Sequence, residues 1–133
     1  MNQPDFSLHH VALTCRNLEK QQQFYEKLGF NLQRRYSDAH CSIIHMLLGS
    51  FCLELFVFTE SASPILEPKP LAQHLKQPGW QHIALKVSDL LAAREWFINE
   101  HGLIPSEIQQ GRTGIQYFFI QDPEENYVEI IQA

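Results

Sequence analysis

Two histidines and two glutamates carry the chemistry of this chain. His10 sits in Leu8–Leu18, read LHHVALTCRNL, and His82 in Trp80–Leu90, read WQHIALKVSDL. With His82 set over His10, Ala84 falls on Ala12, Leu85 on Leu13, Leu90 on Leu18 and Asp89 on Asn17. Each half then closes on a lone carboxylate in a β-rich run, Glu54 in SFCLELFVF and Glu129 in ENYVEIIQA. Imidazole and carboxylate together suit Zn, Ni, Co, Mn or Fe better than Ca or Mg. Four such ligands leave two positions of an octahedral ion for a substrate bearing neighbouring oxygens. The ion then stabilises negative charge developing on those oxygens, and Glu129 or Glu54 serves as the base for a proton on the adjacent carbon.

Taken singly, each residue has a plainer reading. A lone strand histidine is usually a hydrogen-bonded structural group, and a lone strand glutamate an edge charge. Repetition and parity favour the chemical reading. On a strand, His10, Ala12 and Thr14 share one face, and Val11, Leu13 and Cys15 the other, better core face. Cys52, Glu54 and Phe56 likewise face away from Leu53, Leu55 and Val57. His82, Ala84 and Lys86 share a face in the second half.

The elements that must position these residues follow from local signals. Strand 8–15 leads to a helix capped by Asn17, with Leu18, Tyr25 and Leu28 at helical spacing, Gln21 as a polar interruption and Gly29 as a left-handed end. Strands are expected at 30–36, 41–48 and 51–58, with Gly49-Ser50 turning between the last two. A connector, 59–79, holds Pro64, Pro68, Pro70 and Pro78 and one helical turn near 71–75. The second half repeats the order: strand 80–87, a helix capped by Ser88 or Asp89 and ended by Gly102, then strands at 103–108, 115–121 and 127–131. The expected fold is α+β, with two βαβββ modules in tandem (about 8–58 and 80–132) forming a curved, barrel-like mixed sheet with helices outside. A module of about 60 residues is marginal alone, so 1–133 is read as one domain.

Composition excludes other classes. A 44% hydrophobic content marks a globular chain. A net charge of −5 with scattered Lys and Arg gives no nucleic-acid footprint. No apolar run approaches the ~20 residues of a membrane span, and MNQPDFSLHH does not read as a secretory signal. Three cysteines, Cys15, Cys41 and Cys52, without CxxC spacing fit reduced thiols and a cytoplasmic location.

HHVALTCRNL, FYEKLGF (Phe24–Phe30), CLELF, QHIALKVSDL and DPEENYVEI together resemble the vicinal oxygen chelate superfamily, the glyoxalase / bleomycin resistance / extradiol dioxygenase group. The resemblance runs from about Leu8 to Ile131. It implies a glyoxalase I-like branch, in which His10, Glu54, His82 and Glu129 are the ligand set. It further implies a metal-dependent lyase or isomerase that moves a proton through an enediolate held by one divalent ion. Dioxygenases and thiol transferases of the group generally lack a carboxylate at the position of Glu54, and bleomycin-type binding proteins lack the whole set; these are the rival readings. Two departures stand out. Thr14 replaces the arginine that contacts glutathione, with Lys86 in the equivalent place of the second half, where it could take a substrate anion. Glu125 replaces the glycine of the family's DPDGN turn, so Glu125 or Asn126 must take the left-handed position.

Arg112 could bind a substrate carboxylate, against the plainer reading of a solvated loop arginine. Phe56, Tyr117, Phe119 and Tyr127 could wall a pocket, against plain core. Cys52 shares the face of Glu54 and is expected to be buried and inert. His9, His40, His45, His74 and His101 are read as non-ligands, with the reservation that a strand bulge would exchange His9 and His10. The partner is a small molecule. The sequence leaves open whether the modules share a cavity within one chain or across a homodimer.

Overall fold

The computed structural model describes residues 3–60 and 69–132. Backbone proximity divides the chain into two units, Met1–Pro64 and Ile65–Ala133. Residues 61–68 of the expected connector, with Pro64 and Pro68, lie outside the described residues.

The first unit runs β1 (Val11–Thr14), α1 (Leu18–Lys27), β2 (Asn31–Ser37), β3 (Cys41–Leu48) and β4 (Phe51–Phe58). Its sheet has the order β1-β4-β3-β2, with β1 parallel to β4 and the other pairs antiparallel. The Asn17 side chain accepts the Lys20 N–H at 3.0 Å and opens α1. At the other end Gly29, at φ 99°, donates to the Glu26 carbonyl while Phe30 N–H reaches back to Tyr25. Those two bonds satisfy carbonyls that the helix itself leaves open, in a geometry glycine adopts without strain. One face of the sheet packs under α1: Ile44, Met46, Leu53 and Leu55 are wholly buried with Tyr25 and Phe30. Each such aliphatic side chain stabilises the unit by about 1.5–3 kcal/mol relative to exposure. Gln21, the polar break in the helical stripe, is buried in the same layer.

The second unit runs α2 (Leu71–His74), β5 (Ile83–Lys86), α3 (Leu90–His101), β6 (Gln109–Gln110), β7 (Gln116–Gln121) and β8 (Tyr127–Gln132). Its sheet order, β5-β8-β7-β6, repeats the first, and β5 is parallel to β8. Asp89 caps α3 by accepting the Ala92 N–H at 3.0 Å, and Gly102 ends it at φ 61°. Phe118, Ile120, Val128 and Ile130 are buried, as are Leu90 and Phe97 of α3.

Two expectations change. No strand forms over 103–108; the edge strand is only Gln109–Gln110. Pro105 has no N–H to give a ladder. Arg94 of α3 draws off the carbonyls of Ser106 (2.8 Å) and Pro105 (3.2 Å), and the Ser106 hydroxyl takes the Phe119 N–H at 2.8 Å. One main-chain bond survives, from Ser106 N–H to the Phe119 carbonyl. The first strands of both units are also shorter than the apolar runs, so His10 and His82 each lie one residue ahead of their strand.

The turn before β8 closes on Asp122, which is buried and whose Oδ1 accepts the N–H groups of Glu124 and Asn126 at 2.9 and 3.0 Å. Glu125 takes the left-handed position at φ 66°, the one non-glycine residue at positive φ among the described residues. That conformation costs an L-residue roughly 1–2 kcal/mol, partly offset because glycine frees the unfolded chain. Glu125→Gly is therefore expected to stabilise the protein by about 0.5–1 kcal/mol in urea unfolding. Equal or lower stability would show that the turn carries no strain.

Candidate functional site

Strand register places the candidate residues. In the first unit Ala12, Glu54 and His45 form one cross-strand row, and Thr14, Phe56 and Ile43 the next. In the second, Ala84, Glu129 and Phe119 form the matching row, and Lys86, Ile131 and Tyr117 the next. The two carboxylates thus occupy equivalent positions in the two sheets. Both stand on the face away from the helix: Leu53 and Leu55 are sealed, while the Glu54 side chain keeps 20% exposure. Val128 and Ile130 are likewise sealed beside Glu129, which keeps 21%.

Each histidine comes to the carboxylate of its own unit. His10 Nε2 lies 3.7 Å from Glu54 Oε1, and His82 Nε2 lies 3.0 Å from Glu129 Oε2. The small Ala12 and Ala84 beside the glutamates leave the space open. A carboxylate only accepts, so His82 Nε2–H donates to Glu129. The other ring nitrogen, His82 Nδ1, is buried with no hydrogen-bond partner among the described residues.

His45, read from the sequence as a non-ligand, lies against both candidate residues of the first unit. Its Nε2–H donates to Glu54 Oε2 at 2.6 Å, and its ring stacks on His10 with centroids 5.8 Å apart. The signal was available: a two-residue turn at Gly49-Ser50 fixes the hairpin register and sets position 45 opposite 54. His9 Nδ1 lies 2.8 Å from His10 Nδ1, so His9 also enters the cluster, as a neighbour of the ligand candidate. In the second unit Phe119 stands where His45 does, edge-on to His82 at 4.9 Å.

Among the described residues no group of three or more His, Cys, Asp or Glu side chains is arranged to hold a metal ion. Each unit offers one proposed His–Glu pair, and the first unit adds His45 beside it. Ligand atoms about 2.0–2.1 Å from one ion stand about 2.9 Å apart at a right angle and at most about 4.2 Å apart. The 3.0 and 3.7 Å separations both lie within that span. The donor chemistry and the spacing of each His–Glu pair are therefore compatible with two ligands of a divalent ion.

Of the remaining candidates, Lys86 is exposed and makes no ion pair among the described residues, one row along from Glu129. Phe56 is half-buried on the Glu54 face, and Tyr117 lies one row from Phe119, with its hydroxyl donating to Gln109 Oε1 at 3.2 Å. Arg112 sits exposed in the turn between β6 and β7, with no ion pair among the described residues.

The sequence profile of the "Glyoxalase/Bleomycin resistance protein/Dioxygenase superfamily" matches residues 7–130. The chain belongs to this superfamily. It is 31% identical over 131 residues to the uncharacterized protein YwkD of Bacillus subtilis (strain 168), covering 95% of this chain and 96% of that one. It is 28% identical over 131 residues to the glyoxalase domain-containing protein RDO1 of Mycosarcoma maydis, covering 93% of this chain but spanning only 66% of that protein's length. The trypanothione-dependent glyoxalase I of Leishmania major superposes with a TM-score of 0.71 over 96% of this chain and 87% of that one; at 18% identity the likeness is one of fold. No described helix is long and apolar enough to cross a membrane.

Cys52 is buried beside Glu54, and burial, then the nearby carboxylate, pushes its thiol pKa up. The thiol is therefore neutral at pH 7 and a poor nucleophile. Native protein treated with iodoacetamide at pH 7.5 should leave Cys52 unlabelled by peptide mass mapping, under conditions that label it fully in urea. Rapid native labelling would show an open, ionised thiol.

Proposed function

We propose that this protein is a metal-dependent, glyoxalase-like lyase or isomerase of the superfamily, and that residues 1–133 work as one domain. His10, Glu54, His82 and Glu129 are the proposed ligands of one divalent ion, Zn, Ni, Co, Mn or Fe. The observation that carries this reading is the equivalent placement of two His–Glu pairs, in the same register, on the unsealed face of both sheets. When bound, the ion supplies Lewis acidity to two neighbouring substrate oxygens. His10 and His82 serve as ligands only. Glu129 or Glu54 carries the proton between adjacent carbons. Lys86 is the proposed partner for a substrate anion, with Phe56 and Tyr117 as apolar walls and Arg112 as a second anion contact. Thr14, at the position beside Phe56, offers no charge.

Elemental analysis of the purified protein, followed by metal titration of the chelated form, tests the reading. One ion per chain is expected. At metal one hundred times the Kd, binding should stabilise the fold by about 2.7 kcal/mol. Glu54→Gln and His82→Ala should each weaken binding at least about tenfold. Sub-stoichiometric metal, with no response of stability to added ions, would leave a small-molecule binding protein as the better reading.

A further inference from the structure

The two His–Glu pairs differ in what surrounds them. In the first unit Glu54 is gripped from the side: His45, directly opposite it across the strand pair, donates to Oε2 at 2.6 Å. The same ring lies near-parallel to that of His10, at 28°, so one residue touches both proposed ligands. The His45 side chain keeps only 18% exposure, so little water competes for the bond. His10 Nδ1 in turn meets His9 Nδ1 at 2.8 Å. In the second unit the equivalent row position is Phe119, which cannot bond Glu129, and His82 Nδ1 has no partner among the described residues. There the only restraint on the carboxylate from a histidine is the proposed ligand itself.

We infer that His45 is a positioning residue: by occupying Glu54 Oε2 it leaves Oε1 alone to meet the ion. This rests on the metal reading above. A carboxylate oxygen engaged by an outer hydrogen bond is oriented and loses the freedom to rotate, so less order has to be imposed when the ion arrives. Within the row itself the two units are otherwise matched: alanine flanks each glutamate on one side, and the change on the other is imidazole for phenyl.

The test uses the full chain, stripped of metal and titrated with Co(II), reading both Kd and the visible d–d spectrum. His45→Phe copies the second unit's row and is expected to weaken Co(II) binding about 10–100-fold and alter the spectrum. A modest fall in its metal-free melting temperature is expected, because Glu54 loses a hydrogen-bond partner, and Kd is therefore read on the folded chain. His45→Gln keeps a donor nitrogen at similar reach and should restore affinity to within a few-fold. Phe119→His, which builds the missing brace on Glu129, should tighten binding. Wild-type affinity and spectrum in His45→Phe would overturn the inference while leaving the metal reading intact. Failure of His45→Gln to restore affinity would show that donation to Glu54 is not what position 45 supplies, which also overturns it. A wild-type chain that takes up no Co(II) would overturn both.

Discussion

Strand alternation under a helix that seals one face is the constraint on which the rest depends. Once Leu53 and Leu55 are buried under α1, position 54 must point the other way, because successive side chains on a strand alternate. A carboxylate is tolerated there because it stays partly solvated and hydrogen-bonded, whereas on the sealed face it would be desolvated without a partner. The same logic fixes Glu129 between Val128 and Ile130. The helix caps at Asn17 and Asp89 matter to function for this reason: they set where each helix starts, and hence which face it covers.

Duplication gives the two units the same frame without the same detail. Both order their strands alike, and both set alanine, glutamate and a ring in one row. Yet the ring is His45 in one and Phe119 in the other. An imidazole can both donate to a carboxylate and stack; a phenyl ring can only stack. A repeat recognised by its shared residues directs attention to what matches. Here the informative position is the one that does not.

Much of the architecture was legible locally. The turn at Gly49-Ser50, both caps, both helices and β3 and β4 follow from signals within a few residues, and the face of each ligand candidate follows from counting by two. The lost strand at 103–108 shows where such reading stops. Leu103–Ile108 has strand-like residues, but its carbonyls are taken by Arg94, a residue on the preceding helix, and its pairing is broken by Pro105. Hydrogen-bond competition between distant segments leaves no mark in a short window of sequence. The contact of His45 with Glu54 is different: it follows only when two local facts, the turn and the parity, are combined into a register.

The sequence by itself determined the repeat, the superfamily, the sealed and open faces and the four residues that could act as ligands, because composition, capping and period-two patterning act over neighbouring positions. Tertiary structure decided the partners. Whether Glu54 meets His10 alone or is also bound by His45, whether His82 turns to Glu129, and whether a β-prone stretch keeps its ladder depend on which backbones come within hydrogen-bonding reach. That reach is set by strand pairing between residues remote in the chain.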